Sequence, residues 1–170
     1  MNARKIYEEI VRQAEVLTTL ATESDERLFN KAEEVSRWSV ADHLDHLALA
    51  NQAMVRAIEQ ALEQGDAAAR GGPTFIGHCV MLTGWIPRGK GKAPDFARPQ
   101  LETSDELRRT LSDARDALGG LEERLPQIEH ASGRCNHFAF GDLKPFQWLK
   151  VIEIHTRHHL KIIDAIARAG

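Results

Sequence analysis

The chain has 170 residues, of which 42% are hydrophobic and 28% charged, and its formal net charge is -3. This balance is that of one soluble globular domain of ordinary size. It argues against a nucleic-acid partner, which requires a basic face. The sequence also argues against a membrane protein, because no run of apolar residues approaches the roughly 18 that a membrane span needs.

The amino terminus and the cysteines predict the compartment. The opening stretch MNARKIYEEIVRQ alternates charged with apolar residues and lacks the continuous apolar run of a secretory signal. Cys79 and Cys135 are distant in the sequence and form no CxxC pattern, which is typical of free thiols in a reducing compartment. We therefore expect a cytoplasmic protein.

Two helices are predicted in the first half of the chain. The first covers about residues 3–22, where apolar residues such as Ile6 recur every three or four positions. The second follows Ser39, a favourable N-cap residue, and Asp42 completes a short capping box. Its apolar stripe continues to Leu62.

The stretch of about residues 65–102 interrupts this pattern, since it contains four of the six prolines. Residues 75–82 are apolar and predict a short extra helix. Residues 88–92 are basic and glycine-rich, which is typical of a mobile loop. A structureless connection of this length is unusual in a compact domain. We therefore expect the stretch to cover one end of the protein or to form a lid over a site.

Two more helices are predicted in the second half. The third begins at Thr103, with Glu106 completing another capping box, and carries a near-heptad leucine seam to Leu125. Pro126 is predicted to end it. The fourth opens at Pro145, which a first helical turn tolerates, and continues almost to the end of the sequence.

The predicted class is all-α, because period-two runs that would indicate strands are nearly absent. Residues 1–170 are predicted to form a single four-helix bundle domain. Residues 65–102 form a long loop or short helix inserted in it.

Two histidines of the last helix lie on its apolar side. On a helical wheel at about 100° per residue, His155 and His159 fall in the middle of the apolar stripe, whereas Glu153 and Arg157 fall on the opposite, solvent side. The stripe consists of Trp148, Ile152, Ile162 and Ile166. A buried polar group left unpaired costs about 1–3 kcal/mol. Each imidazole therefore bonds a neighbouring group or binds a metal, and a spacing of four is one that helical zinc sites use.

A metal site needs at least a third ligand, and the second helix offers His43 and His46. His43 lies nearer the large apolar stripe, whereas His46 lies on an adjoining face with Ala50, Ala53 and Ala57. Those small side chains would let another helix approach closely or leave room for a pocket. Periodicity leaves the choice between the two histidines open.

The remaining histidines give weaker indications. His158 lies on the flank of the last helix, which suits a partly exposed or supporting role. His137, in the stretch before that helix, is a candidate catalytic acid or base at the pocket mouth, or a residue that packs the loop. His78 and His130 carry no signal.

Three segments resemble the DinB/YfiT-like helical bundles. WSVADHLDHL (residues 38–47) is similar to the family's second-helix motif, in which a histidine follows seven residues after the serine of a tryptophan-serine pair; here it is His46. HTRHH (residues 155–159) is similar to the last-helix motif, whose ligands are the first and last histidines. NHFAFGDL (residues 136–143) resembles the HP-x-FG-x-L lead-in of one uncharacterised branch, with Phe138 in place of the proline.

The resemblance implies a left-handed, up-down-down-up four-helix bundle that is often a homodimer. It also implies a divalent metal ion, zinc or nickel, on His46, His155 and His159. Some members of the family transfer low-molecular-weight thiols such as bacillithiol or mycothiol, or isomerise their adducts.

Three imidazoles leave a tetrahedral ion with an open fourth position, which is the pattern of catalytic rather than structural zinc. We hypothesise a thiol transferase or hydrolase that activates a thiol or water against a small-molecule electrophile. The alternative is a non-catalytic metal- or ligand-binding bundle of the stress-response type. The sequence lacks the ExxH pairs of di-iron bundles and the HExxH motif of zinc proteases.

Overall fold

The computed structural model describes residues 2–65, 71–89 and 92–169. Within these ranges the helices are α1 (Ala3–Leu20), α2 (Asp25–Leu28), α3 (Val40–Gln64), α4 (Phe75–Thr83), α5 (Ser104–Gly119), α6 (Leu125–His130) and α7 (Pro145–Ala169). The strands β1 (Cys135–His137) and β2 (Gly141–Leu143) pair as a short antiparallel hairpin. The fold is all-α in class, as the sequence predicts.

The long helices α1 and α5 run antiparallel. Near one end of the pair, the hydroxyl of Tyr7 lies 3.5 Å from the carbonyl oxygen of Gly119. Near the other end, Nε of Arg108 donates to the carbonyl oxygen of Ala21 at 3.1 Å. The start of α1 therefore lies beside the end of α5.

Helix α3 runs parallel to α5. Asp45 meets Gln100 just before α5 and, further along both helices, Gln52 donates to the carbonyl oxygen of Thr110.

Helix α7 runs antiparallel to α3. His43, near the start of α3, meets His159, just past the middle of α7. Cys135, before α7, meets Gln60 near the end of α3. The four long helices therefore form an up-down-down-up bundle, as the resemblance implies.

Two of the long helices begin at the predicted cap residues. Asp42 N donates to Ser39 Oγ at 3.1 Å and Ser39 N donates to the Asp42 carboxylate at 2.8 Å, which completes the predicted capping box. Glu106 N donates to Thr103 Oγ at 3.3 Å. The Glu106 carboxylate, however, accepts from the backbone N–H of Glu102, so the second cap lacks the predicted reciprocal bond.

The third predicted helix ends earlier than its leucine pattern indicates. Helix α5 stops at Gly119, and Pro126 lies in the first turn of α6 instead of ending a helix. The prediction was wrong because Gly119 and Gly120 both have low helix propensity, whereas a first turn tolerates proline. Leu121 and Leu125 remain buried, so the apolar stripe continues through the break.

The inserted stretch contains the predicted extra helix, α4. A 3-10 turn, Asp95–Ala97, then packs against α3. Residues 66–70 lie outside the described residues. The predicted mobile loop at residues 88–92 falls partly outside them as well, at residues 90–91.

The hairpin before α7 is an element that the sequence did not predict. Its strands have three residues each, which is too short for a recognisable alternation. Gly141, at φ +81°, begins the second strand. The hairpin is tied to the residues before α4, since Thr74 N donates to the carbonyl oxygen of Phe140 at 2.8 Å and Asp142 N donates to that of Gly72 at 3.1 Å.

One charged residue of α7 was placed on the wrong side by the helical wheel. Glu153 is buried, and its carboxylate accepts from Nε2 of Gln13 on α1 at 3.3 Å and from Nε of Arg157 at 2.6 Å. The wheel misplaces it because α7 packs against α1 as well as α3, which widens its buried face. Pairing with Arg157 offsets the cost of burying the charge.

The apolar stripe of α7 is buried as predicted, at Trp148, Ile152, Ile162 and Ile166. Searched over the described ranges, no helix combines the length and apolar character needed to cross a membrane.

Candidate metal centre

Three histidines from two helices converge at one point in the bundle. His46 on α3 and His155 and His159 on α7 each offer a ligand nitrogen, and these nitrogens all lie within 4.8 Å of one another. Because His155 and His159 are four residues apart, they lie one turn above the other on the face of α7 that α3 covers. The structure therefore brings together the three residues that the resemblance indicates.

His46 has a defined tautomer. Its Nδ1 lies 2.7 Å from the carbonyl oxygen of Ala97, which can only accept a hydrogen bond, so Nδ1 carries the proton. Nε2 of the neutral ring then has a free lone pair. That nitrogen lies 3.2 Å from Nε2 of His155. Two nitrogens bound to one tetrahedral ion at about 2.0–2.1 Å would be about 3.3 Å apart, so this spacing fits a shared ion.

His159 is fixed from its other side by a second histidine. Its Nδ1 lies 2.9 Å from Nδ1 of His43. When His159 carries the proton of this contact, its Nε2 is available to a cation. His43 also contacts Ser36, whose Oγ lies 3.0 Å from Nε2 of His43. His43, the alternative ligand that periodicity left open, therefore lies behind His159 and outside the three-histidine cluster.

His155 is the most accessible of the three. The residue is partly exposed, whereas His46 and His159 are buried. Within the described part of the chain, its Nδ1 is buried without a hydrogen-bond partner. Of the three histidines, His155 is therefore the one that reaches solvent.

An aromatic wall closes the centre on another side. The indole of Trp38 lies 5.0 Å from the ring of His46 and 6.4 Å from that of His159, nearly parallel to the latter. It also meets the ring of His43 at 5.3 Å, edge-on. Trp38 immediately precedes the Ser39 cap, so the same short segment starts α3 and lines the centre.

Burial keeps the imidazoles neutral. It lowers the pKa of His155 and His159 well below the ordinary value, and the neighbouring histidines lower the pKa further. The pKa of His46 is also lowered by burial, and the bond to the carbonyl of Ala97 opposes that shift. Neutral imidazoles can bind a divalent cation without first losing a proton. The residues therefore fit a divalent metal ion in both geometry and protonation.

The extended segment before α5 holds α3 at this point. Besides the bond from His46 to Ala97, Gln100 N donates to the carboxylate of Asp45 at 3.0 Å. Asp45 is buried, which raises the pKa of its carboxyl. Sequence reasoning missed this contact because a backbone carbonyl such as that of Ala97 gives no signal in the sequence.

His137, the candidate acid or base, lies in β1. Its ring stacks on Phe140 at 4.3 Å and on Phe138 at 4.6 Å. Its Nδ1 accepts from the backbone N–H groups of Ala139 and Phe140, and burial lowers its pKa to about 4. It lies near enough to His155 to affect that residue's pKa. Its packing role is therefore visible, and its catalytic role stays a prediction.

His158 touches the centre from the flank, with its ring edge-on to that of His159 at 5.2 Å. It is partly exposed, as the sequence predicts. His78 is exposed on α4, and His130 ends α6; neither joins the cluster.

A helical bundle with three converging histidines is the architecture that the sequence resemblance implies. The sequence profile of the DinB superfamily matches residues 9–163, which is most of the chain. The chain therefore belongs to the DinB superfamily. Neither a curated protein nor a solved structure matches it significantly.

Proposed function

We propose that this protein is a metal-dependent enzyme that activates a thiol or water at a divalent ion held by His46, His155 and His159. The observation that carries the proposal is the convergence of their ligand nitrogens within 4.8 Å of one another, on a site whose His155 side is partly exposed. Three protein ligands, with the fourth position left to water or substrate, are the pattern of a catalytic rather than a structural zinc site.

Zinc or nickel bound there would supply Lewis acidity, which lowers the pKa of a thiol or water so that a nucleophile exists near neutral pH. The chain's own residues prepare the site for it. Ala97 fixes the tautomer of His46, and Trp38 excludes water from one side of the rings. The substrate is proposed to be a small molecule that enters beside His155. If the activated group is a thiol, it is proposed to be a low-molecular-weight thiol.

His137 is proposed to act on the substrate from the edge of the site. Its Nδ1 is occupied by two backbone donors, so Nε2 is the nitrogen left for a substrate. Because its pKa lies at about 4, the ring is neutral near pH 7 and would carry the proton on Nε2. Through that N–H it would donate a hydrogen bond to negative charge that develops on the substrate, while the ring itself stays neutral.

The alternative is a bundle whose ion only ties α3 to α7. The position of His43 favours this reading, since its Nδ1 lies 2.9 Å from Nδ1 of His159 and a rotated ring could become a fourth ligand. A closed site with four protein ligands would be structural.

The proposal is tested by titrating untagged, metal-free protein with Co²⁺ and then adding 2-mercaptoethanol. We expect a visible spectrum of four-coordinate cobalt that saturates at about one ion per chain. The thiol should then change that spectrum by entering the open position. The double variant His155→Ala, His159→Ala should show neither signal, whereas His78→Ala, remote from the cluster, should behave as the wild type.

Full cobalt binding by the double variant would contradict the assignment of the ligands. A cobalt spectrum that thiol leaves unchanged would favour the structural alternative.

Two further features of the proposal stay predictions. The homodimer rests on the resemblance, and the exposed apolar residues Phe75, Ile76 and Leu82 on α4 are compatible with it. A cytoplasmic location is supported by Cys79 and Cys135, which are both free thiols in the structure.

A further inference from the structure

We infer that His43 is the positioning residue of the proposed metal centre: backed by Ser36, it accepts the Nδ1 proton of His159 and so supports the tautomer in which His159 can bind a metal. The inference rests on the proposed function, because it assigns a role towards the same ion. A chain of two hydrogen bonds runs from Nδ1 of His159 to Nδ1 of His43 at 2.9 Å, and from Nε2 of His43 to Oγ of Ser36 at 3.0 Å.

The first bond has two possible directions, and they have opposite consequences. A contact between two Nδ1 atoms needs one proton, carried by either His159 or His43. If His159 carries it, Nε2 of that neutral ring keeps a lone pair for the ion. If His43 carries it, Nε2 of His159 is protonated and cannot ligate.

Ser36 can complete the productive direction, because a hydroxyl accepts as well as donates. In the opposite direction the same hydroxyl would donate to Nε2 of His43, so a cation at Nε2 of His159 would select between the two. When Nδ1 of His43 accepts, its Nε2 is protonated and must donate, and Ser36 Oγ is in place to accept. The same oxygen accepts from the backbone N–H of Trp38 at 3.0 Å. A hydroxyl oxygen has two lone pairs, so it can accept both bonds and leave its own O–H free.

Burial raises the free-energy cost of losing either hydrogen bond of this His159–His43–Ser36 chain. His43 is 3% exposed and His159 is 8% exposed, so water is largely excluded from their shared bond. An imidazole N–H without a partner at such a position is costly. The chain therefore gives His159 the outer partner that metal-bound histidines commonly have, as Ala97 does for His46.

The test compares His43→Leu with His43→Asn, because leucine and asparagine have nearly the same shape. Asparagine can place an oxygen near the position of Nδ1 and accept from His159, whereas leucine cannot. Zinc affinity is measured by competition with a coloured chelator, on variants whose fold is checked by circular dichroism. We expect His43→Leu to lose about 10–100-fold in zinc affinity and His43→Asn to stay within about threefold of the wild type.

Equal zinc affinity in the wild type and His43→Leu would overturn the inference. So would an equal loss in both variants, since that would indicate a requirement for the imidazole ring's shape instead of an acceptor. If His43→Leu does not fold, Ser36→Ala replaces it, and an unchanged zinc affinity there overturns the inference. A wild type that binds no zinc would instead contradict the proposed function itself.

Discussion

At the scale of single residues, the centre depends on imidazoles that the fold keeps uncharged. Burial is the first cause of the lowered pKa of His46, His155 and His159. The same is true of His43 and His137, whose pKa falls to about 4. The protein therefore gives up stability at acid pH in return for ligands that are ready at neutral pH.

This cost predicts how the stability of the metal-free protein depends on pH. An unfolded histidine titrates near pH 6.5, whereas folded His43 and His137 titrate at about 4. Between these values the unfolded chain binds more protons, so the free energy of unfolding falls as the pH falls. We expect a loss of up to roughly 3 kcal/mol per such histidine between about pH 7 and pH 4, measured by urea unfolding.

His137→Phe provides the matched variant, because phenylalanine can keep the stacking on Phe138 and Phe140 but cannot be protonated. Its slope of unfolding free energy against pH should be shallower than that of the wild type, whatever its stability at pH 7. Identical slopes would show that His137 does not titrate differently in the folded and unfolded states.

The sequence predicts the metal-binding histidines better than their supports, the hydrogen-bonding groups that hold those side chains in place. The helical wheel places His155 and His159 inward, and the motif resemblance, not periodicity, selects His46 over His43. The supports are the carbonyl of Ala97 and the hydroxyl of Ser36. Neither was predictable, because both depend on how distant segments pack and not on a pattern within one element.

At the scale of elements, the end of α3 is held by a close backbone contact. The segment between α6 and β1 crosses α3 at Gly133, where an added Cβ would lie 2.0 Å from the carbonyl oxygen of Ala61 and 3.0 Å from that of Gly65. Backbone atoms cannot move aside as a side chain can, so this crossing requires glycine.

Gly133→Ala should therefore destabilise the protein by about 1–3 kcal/mol, the range for forced overpacking. The free energy of unfolding in urea measures the effect. Gly119→Ala is the matched control, because its added Cβ meets nothing within 4 Å and it lies in the last turn of α5. That variant should be neutral or more stable by up to about 1 kcal/mol. Equal stabilities of the two variants would contradict the crossing described here.

Element boundaries were predicted where a local signal exists. Ser39 and Thr103 cap α3 and α5 at the expected residues, because capping depends on neighbours within one turn. The break at Gly119, the hairpin and the buried Glu153 were not predicted. The hairpin and the burial of Glu153 are decided by packing between elements, which a periodicity within one segment does not contain. The break follows from two adjacent glycines whose low helix propensity outweighs the leucine periodicity.

At the scale of the whole molecule, the bundle topology creates the site. Because α3 and α7 are antiparallel neighbours, an early residue of α3, His46, meets residues in the middle of α7. The up-down-down-up order followed from the motif resemblance, and the pattern of four amphipathic segments alone fits other bundle orders equally well. Membership of the DinB superfamily agrees with this arrangement.

A crystal structure of untagged, zinc-loaded protein, with anomalous data across the zinc and nickel edges, tests the central claim most directly. We predict one ion bound by His46, His155 and His159 at about 2.0–2.1 Å, with a fourth position occupied by water or a small ligand beside His155. An ion bound by other residues, or the absence of any ion at full loading, would contradict the account, and a fourth protein ligand would contradict its catalytic part.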